Sequence, residues 1–473
     1  MNGSVGLYTL DHRGTDRSSF LDCQATQAYT AGSPRGIKIG FDEVANCVKD
    51  ILFQINDHTE AFSVTNAAKD VEFLIKQLNS KASEVFVYGA SYGTYWAERI
   101  MHLAPKQVKS YILDGVVSEA VPSFTMWNTN RKFPERRFIK ICENDAFCSA
   151  KLAKITQQHG SLTSAWRALY QAIDVTGPGQ NACADLARKL APKGPQPSHG
   201  LRDLLGDMVT HSHERIVIPA ILYRLSRCRE QDVSFLSEYF GVPDPDHLKH
   251  GPKPKTPMMY DQIEGSSSFL GMLIRASEMW TKPSTSWEHE TTQFKNSLLS
   301  SKMTCTFGMY CILRANASDP ACSDLVNSHS KGKFPAFKDL VPFTYAPDEY
   351  WQRVATIPDH ASAMVITGGL DFQKVQEKNV SEYEHLSGGQ GKILVEFDNG
   401  SHCAGISGSI FGDETRCGVK MIASYVLQGG NVDKVDTTCM NELPEFNFAD
   451  LRAIQVVAKN VESVAELYDS RLE

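Results

Sequence analysis

The sequence predicts an α/β fold in which a mostly parallel sheet is interrupted by a large, mainly helical insertion. Apolar strands alternate with amphipathic helices before residue 119 and again after residue 342. Residues 119–342 lack that alternation and show helical periodicity with many loops. Alternating strands and helices are typical of a right-handed parallel sheet, so the long interval without them indicates an inserted domain.

The composition is that of an ordinary globular chain. Its 473 residues are 42% hydrophobic and 22% charged, with a formal net charge of -7. This negative balance argues against nucleic acid and anionic membranes as partners. No apolar run is long enough to cross a bilayer, and no signal peptide precedes the first predicted strand.

The first part of the core is predicted to span residues 1–118, where strands and helices alternate as a parallel sheet requires. Thr65 is the expected N-cap of one helix, which closes near Asn79. The predicted elements are a strand over 5–10, a helix over 41–55, a helix over 65–79, a strand over 85–88 and a strand over 111–117.

Residues 119–342 are predicted to form an inserted cap, the core to resume over 343–440, and residues 441–473 to be a helical tail. We expect the amphipathic tail helix to pack on the body of the protein. The predicted elements of these parts are helices over 162–173 and 219–236, a Pro-rich stretch over 241–257, strands over 362–367 and 392–397, a helix over 415–427 and the tail helix over 449–467.

The most informative stretch of the chain is Gly89-Ala-Ser-Tyr-Gly93, which lies between a predicted strand and a predicted helix. Strand, G-x-S-x-G and helix in that order form a nucleophile elbow. We expect Gly89 and Gly93 to be required because strand and helix pass too close for a Cβ. Such a turn lifts the Ser91 hydroxyl from the sheet edge and aims the Tyr92 N–H at a developing oxyanion. The alternative is a glycine-rich turn with an incidental serine.

Asp371 and His402 complete a predicted catalytic triad with Ser91. Asp371 ends one late strand and His402 follows the next, which is the order that α/β-hydrolases use. His402 would take the proton of Ser91, and Asp371 would orient the ring. Asp114 is an alternative acid, because it also follows a strand. Asp398 is nearer to His402 in sequence, but it lies in the same loop and is not expected to face the ring. Otherwise Asp371 is a turn aspartate and His402 a surface or core histidine.

Five short segments follow one another along the chain. They are Asp11-His-Arg-Gly-Thr-x-x-Ser18, Gly89-Ala-Ser-Tyr-Gly-Thr94, Leu113-Asp-Gly-Val116, Gly369-Leu-Asp371 and the loop of His402. Together they resemble the proline iminopeptidase-like branch of the α/β-hydrolases, and most closely its secreted tripeptidyl aminopeptidase-like serine peptidases. The resemblance covers most of residues 5–440 and is weakest across the predicted cap. It implies an α/β-hydrolase fold, cleavage of peptides near a free N-terminus and a cap that shapes the substrate pocket.

Two other functions fit the same residues. An esterase would use the same three side chains, because the elbow does not distinguish an ester from an amide. The second alternative is a non-catalytic binding protein, or an inactive fragment that lacks part of its oxyanion hole.

The start of the chain differs from that family. Members carry a His-Gly-Gly-Pro-Gly-like loop that supplies a second N–H to the oxyanion, and no such loop precedes Asp11 here. After the acid they commonly have D-x-x-T-P, where this chain has Asp371-Phe-Gln-Lys. We therefore expect an N-terminally truncated version of a longer secreted enzyme. A native start at Met1, found by N-terminal sequencing, would contradict that expectation.

Twelve cysteines, none of them in C-x-x-C spacing, favour disulfides in an oxidising compartment over zinc binding. Cys142 and Cys148 bracket a short polar loop, and so do Cys305 and Cys311. The family resemblance implies the following disulfides: Cys23–Cys47 and Cys417–Cys439.

Sequons later in the chain add to the expectation of a secreted glycoprotein. They begin at Asn316, Asn379 and Asn399. A glycan on Asn399 would obstruct the site at His402, so that sequon is the least suited of the three.

No cofactor and no metal is predicted. The chain has no phosphate-binding glycine loop and no dinucleotide fingerprint, and neither His211-Ser-His-Glu214 nor Glu288-His-Glu290 has zincin spacing. Glu214 and Glu230 flank a predicted cap helix, and the resemblance implies that they hold the ammonium of a substrate. The alternative is that both are ordinary surface carboxylates. Peptides are the expected partners.

Overall fold

The computed structural model is a mixed α/β protein with a parallel sheet and many helices. The residues that it describes are 3–21, 23, 41–80, 82–120, 124–190, 196–241, 267–300, 304–322, 335–373, 376–406, 416–458 and 461–469.

Helices make up most of the described secondary structure, and the largest group lies between the second and third strands. The α-helices are α1 (Phe41–Gln54), α2 (Val64–Leu78), α3 (Tyr92–Leu103), α4 (Trp127–Asn130), α5 (Lys132–Asn144), α6 (Ala146–His159), α7 (Leu162–Val175), α8 (Ala182–Leu190), α9 (Ser198–Met208), α10 (Ile218–Arg227), α11 (Glu230–Tyr239), α12 (Ser268–Ser277), α13 (Trp287–Asn296), α14 (Thr304–Arg314), α15 (Gln376–His385), α16 (Cys417–Leu427), α17 (Leu451–Val457) and α18 (Val464–Tyr468). The strands are β1 (Val85–Ala90), β2 (Val108–Asp114), β3 (Thr356–Ile357), β4 (Ser362–Gly368), β5 (Ser387–Gly388) and β6 (Lys392–Phe397).

The main sheet has the strand order β1-β2-β4-β6, and all neighbouring strands run parallel. Ala90 is in register with Asp114, Asp114 with Ile366, and Gly368 with Phe397. The central strands β2 and β4 are almost wholly buried, as their apolar centres, 111–113 and 363–366, require. The carboxyl ends of the four strands meet at one edge, so the loops that follow them lie side by side.

The predicted parallel sheet is confirmed, and so are most of the elements around it. The helix predicted over 41–55 is α1, and the strands predicted over 362–367 and 392–397 are β4 and β6. Within the described part of residues 119–342 there are helices and no strand. The Pro-rich stretch predicted over 241–257 lies outside the described residues except for Gly241.

The strand predicted over residues 5–10 is wrong. The segment has no strand structure, and Leu7 and Tyr8 are 89% and 67% exposed. An apolar run becomes a strand only where a neighbour accepts its backbone hydrogen bonds, and none of the described strands pairs with this segment.

The N-cap predicted at Thr65 is also wrong. Helix α2 is capped by Ser63, whose side chain accepts a hydrogen bond from the Asn66 N–H. The Thr65 hydroxyl instead accepts a hydrogen bond from the buried guanidinium of Arg99 at 2.6 Å. The Thr65 side chain, which the local sequence predicts to be a cap, therefore makes a long-range contact with Arg99 instead.

Two predicted helices are each divided in the structure. The helix predicted over 219–236 breaks at Cys228, which is left-handed with φ 48° and forms a disulfide with Cys183. The tail helix predicted over 449–467 is instead α17 and α18. The expected packing of the tail on the body is confirmed, because Ile454 and Leu467 are fully buried in the largest apolar cluster.

The apolar clusters cross the predicted domain boundaries. The largest cluster joins helices of the predicted cap, such as Phe138 of α5, to Leu370 and Phe372 beside the predicted acid. A second cluster joins Val48 of α1 to Trp280, which follows α12. The division of the chain into domains therefore remains a prediction, while the packing between its parts is extensive.

Five disulfides are present among the described residues: Cys23–Cys47, Cys142–Cys148, Cys183–Cys228, Cys311–Cys322 and Cys417–Cys439. The two pairs implied by the family resemblance are confirmed. Cys305 and Cys311 do not bracket a loop, because both lie within helix α14 and Cys311 pairs with Cys322.

A search of the described helices for a membrane span found none with enough length and apolar character.

Candidate active site

Ser91 joins the end of β1 to the start of α3 in a conformation that non-glycine residues rarely adopt. Its backbone angles are φ 53° and ψ −122°. The Ser91 N–H donates to the Asp114 carbonyl at 2.9 Å, and the Ser91 carbonyl accepts from the Thr94 N–H at 2.9 Å. Backbone strain of this kind costs about 1–3 kcal/mol and is retained only where the surroundings enforce it. The strained turn predicted for a nucleophile elbow is therefore present at Ser91.

The two glycines of this turn have different roles. A Cβ added to Gly89 would lie 2.2 Å from the Gly93 carbonyl oxygen, which no packing can accommodate. A Cβ added to Gly93 would meet no atom within 4 Å outside its own helix. The predicted need for glycine is confirmed at Gly89 and wrong at Gly93, because only the strand residue points at the facing backbone.

Tyr92 is the first residue of α3, so its N–H has no acceptor within the helix. Its hydroxyl lies 3.1 Å from His12 Nε2, and His12 Nδ1 lies 2.7 Å from the Arg13 carbonyl. Because the carbonyl can only accept, Nδ1 carries the hydrogen and Nε2 accepts from the tyrosine. The Asp11–Ser18 segment thus contacts the elbow through His12, a role that the sequence did not predict.

Asp371 and His402 form a close, buried pair. His402 Nδ1 lies 2.7 Å from Asp371 Oδ2, with the two side chains 11% and 0% exposed. The other carboxylate oxygen, Oδ1, accepts from the Gln373 N–H at 2.8 Å. A carboxylate at Nδ1 fixes the ring orientation and, in the neutral ring, leaves Nε2 as the basic nitrogen. This is the arrangement that a catalytic histidine requires.

The two alternative acids bind elsewhere. Asp114 Oδ2 accepts from the Tyr88 hydroxyl at 2.7 Å, and Asp114 Oδ1 accepts from the Gly405 N–H at 3.2 Å. The Asp398 side chain is 81% exposed and pairs with Arg137 at 2.9 Å. Asp371 is therefore the carboxylate that is hydrogen-bonded to the His402 ring.

The Asp114–Gly115 backbone links the elbow to the histidine loop. The Asp114 carbonyl that accepts from Ser91 also lies 3.5 Å from Cys403 Sγ. A Cβ on Gly115 would lie 2.9 Å from His402 Cε1, so the ring rests directly on this glycine. Proton transfer from Ser91 to this ring would require a hydrogen bond between the Ser91 hydroxyl and His402 Nε2. Such bonds are often long in ligand-free sites and tighten when substrate binds.

The electrostatics of the pair favour a charged ring. Burial opposes protonation of His402, but the Asp371 carboxylate outweighs it and raises the pKa of His402 to about 10. Burial also raises the pKa of Asp114 to about 6. The Asp371 side chain therefore stabilises the imidazolium form of His402, and the ring can accept a proton only when it is neutral.

The two carboxylates predicted to bind substrate lie between the second and third strands, within residues 119–342, which we call the helical interval. Glu214 is 31% exposed and lies 3.6 Å from His211, while Glu230 is exposed in the first turn of α11. Neither contacts Ser91, Asp371 or His402 among the described residues, and their role stays a prediction. In the described part of the chain, no group of three His, Cys, Asp or Glu side chains could hold a metal.

Sequence analysis missed three residues that hold the site. Thr94 Oγ1 donates to the Ser91 carbonyl at 2.8 Å and accepts from the Val117 N–H at 2.8 Å. Its position at the end of the elbow motif was a usable signal. Arg137 and Arg215 contact the loop before His402, and no local pattern in the sequence marks either of them.

A scan against protein-family models finds no match to the chain, and a search of curated proteins finds no significant match. The functional argument therefore depends on the geometry of the site.

Proposed function

We propose that the chain is a serine hydrolase of the α/β-hydrolase type, with Ser91 as nucleophile, His402 as general base and Asp371 as its orienting acid. The observation that carries this proposal is the buried His402–Asp371 pair, 2.7 Å apart, at the sheet edge where Ser91 occupies a strained turn. Backbone strain at the Ser91 turn and a carboxylate behind an imidazole are separate features. Their occurrence at one sheet edge is what acyl transfer requires.

The proposed reaction has two halves. The Ser91 hydroxyl gives its proton to His402 Nε2 while Oγ bonds to the substrate carbonyl carbon, and the Tyr92 N–H holds the oxyanion. The intermediate then expels the leaving group, which takes the proton from His402. Water then gives a proton to His402 as it attacks the acyl carbon, and the bond from that carbon to Ser91 Oγ breaks. Oγ takes the proton back from His402, which releases the acid and regenerates the Ser91 hydroxyl. Asp371 stabilises the imidazolium in both halves.

We further propose that the substrates are peptides with a free N-terminus, which the enzyme shortens from that end. The support is the resemblance of five segments to secreted aminopeptidases, together with the helical interval that packs against the loop of Asp371. Glu214 and Glu230 are proposed to hold the substrate ammonium. Five disulfides among the described residues support an oxidising, extracellular compartment.

A fluorophosphonate probe tests the nucleophile directly. We expect one adduct in the native chain and none in Ser91→Ala, with Ser164→Ala, an exposed serine of α7, as the matched control that labels normally. Labelling that persists in Ser91→Ala would overturn the assignment.

The substrate class needs a second assay. Peptide amides with a free N-terminus are expected to be cleaved, and the same peptides with an acetylated N-terminus are expected to resist. Hydrolysis of simple esters without cleavage of either peptide set would favour an esterase instead. No turnover of any substrate, with no labelling, would favour a non-catalytic chain.

A further inference from the structure

Two arginines from the helical interval contact the loop that leads to His402. Arg215 opens a short 3-10 turn, Arg215–Val217, and its Nη2 donates to the Asn399 carbonyl at 2.5 Å. Arg137 on α5 pairs with Asp398 at 2.9 Å. Both acceptors precede His402 in the loop after β6, so this loop is held from outside the sheet at two adjacent residues.

Arg137 also lies against the loop that leads to Asp371. A Cβ on Gly369 would be 2.7 Å from Arg137 Cζ and 2.1 Å from the Asp398 carbonyl. The two loops are hydrogen-bonded to each other, since the Leu370 N–H donates to the Gly400 carbonyl at 2.9 Å. One guanidinium therefore covers the point where the loops of the proposed acid and base meet.

Arg215 is an unusual residue for a purely structural role. Its side chain is fully buried, and its guanidinium lies 5.3 Å from the Phe446 ring. Its Nε and Nη1 have no hydrogen-bond partner among the residues that the structure describes. Burial lowers the pKa of Arg215 to about 9. A buried cation without a carboxylate partner is unfavourable, and an apolar side chain of similar length would fill the space at lower cost. Within the described part of the chain, the hydrogen bond to the Asn399 carbonyl is the contact of Arg215 that needs a guanidinium.

We propose that Arg215 and Arg137 are positioning residues that set the His402–Asp371 contact, so that the helical interval is part of the active site and not only a cover. The inference rests on the proposed function where it concerns catalysis. The positional claim itself concerns only the geometry of the imidazole and the carboxylate.

The direction in which the pKa of His402 changes when an arginine is removed distinguishes a positioning role from a purely electrostatic effect. The charged and titratable groups that face His402 are Asp371, Cys403 and Asp114. Arg131 lies near Asp371. Removing a nearby cation would by itself raise the pKa of the ring. Loosening the loop would weaken the contact with Asp371 and lower that pKa towards the ordinary value near 6.5.

The test uses Arg215→Met, Arg215→Lys and a matched control, Arg202→Met. Arg202 is another buried arginine of the same interval, and it donates to the carbonyls of Ser297 and Lys295. The His402 ring is titrated by NMR on histidine-labelled protein, with His402→Gln to assign its signal. The rate of fluorophosphonate labelling is measured on the same samples.

We expect Arg215→Met to lower the pKa of His402. At a pH high enough for the ring to be neutral in every variant, it should also slow labelling of Ser91 about 100-fold, the scale of a displacement of about 1 Å. Arg215→Lys should restore part of the pKa of His402 and part of the labelling rate. Arg202→Met should change neither of these quantities. An unchanged or raised pKa in folded Arg215→Met, or an equal effect in Arg202→Met, would overturn the proposal.

Arg137→Met covers the case in which Arg215→Met does not fold. The Arg137 side chain is 36% exposed, so the fold should tolerate the change. The pKa of His402 and the labelling rate should both fall, as in Arg215→Met, but by smaller amounts. No shift in Arg137→Met would then count against the proposal. If native Ser91 fails to label, the proposed function fails, while the NMR titration still decides the positional claim.

Discussion

The two sides of the proposed active site are built in different ways. The nucleophile side, Gly89–Thr94, is closed by contacts within its own turn and with the neighbouring strand end at Asp114. The acid and histidine side consists of two loops that are braced by Arg137 and Arg215 from distant helices. The first side depends on local sequence and the second on tertiary packing. Substitutions should therefore affect the two sides in distinguishable ways.

The largest expected effect comes from the histidine. His402→Ala removes the base for both halves of the reaction, and we expect kcat to fall by about 10⁴-fold or more. Because the ring lies at the sheet edge and not in an apolar cluster, the far-UV circular dichroism should be unchanged. Activity retained in this variant, measured as turnover of a free-N-terminus peptide, would remove His402 from the mechanism.

The next effect separates the two glycines of the elbow. Gly89→Ala drives a methyl group into the Gly93 carbonyl, and we expect a loss of about 3 kcal/mol in the free energy of unfolding together with loss of Ser91 labelling. Gly93→Ala is the matched control, because it adds a methyl in open space within a helix and should stabilise by about 0.5–1 kcal/mol. Urea unfolding of both variants measures these changes. Equal changes in the free energy of unfolding would contradict the conclusion that only Gly89 faces the opposing backbone.

The pH dependence of stability tests the side of the site that holds Asp371 and His402. The pKa of His402 is raised from 6.5 to about 10 by Asp371, so the folded state holds a proton that the unfolded state loses in that range. Stability from this pair is fully present below pH 6.5 and falls as the pH rises towards 10, by at most about 1.4 kcal/mol per pH unit.

Asp371→Asn isolates that contribution from other buried groups. Urea unfolding at pH 6.5, 8 and 9.5 should show a steeper decline in the native chain than in the variant. The same pKa implies that kcat/KM rises with pH above neutrality as the ring loses its proton. Parallel stability curves for the two proteins would show that the ion pair does not form.

The smallest expected effect is at Asp398. Asp398→Asn removes an exposed ion pair with Arg137, so the free energy of unfolding should fall by less than about 1 kcal/mol and the activity by a few-fold at most. Comparing the activity lost in Asp398→Asn with that lost in Asp371→Asn shows which of the two carboxylates acts as the acid. A loss of activity in Asp398→Asn as large as in Asp371→Asn would reverse the assignment of the acid.

Sequence reasoning succeeded where structure is determined locally. The parallel sheet, helix α1 and the strained turn at Ser91 all follow from short patterns of apolar residues and glycine. The pairing of Asp371 with His402 could be predicted because each follows a strand of one sheet, and parallel strands bring their carboxyl ends together.

Sequence reasoning failed where a distant partner decides the outcome. Residues 5–10 have the composition of a strand and no described strand beside them. Thr65 has the side chain of an N-cap, but Arg99 takes its hydroxyl. The helix predicted over 219–236 ends early at Cys228, which is left-handed and forms a disulfide with the distant Cys183. The roles of Arg137 and Arg215 belong to the same class, since neither can be read without knowing where the loops lie.

The identity of the acylated residue is the most direct test of the central claim. A slowly hydrolysed ester or peptide substrate is quenched in acid during turnover, and the digested protein is analysed by mass spectrometry. We expect the acyl group on the peptide that contains Ser91, to a level that rises in His402→Ala only over long incubation. Turnover with no adduct at Ser91, or with an adduct on another residue, would contradict the account.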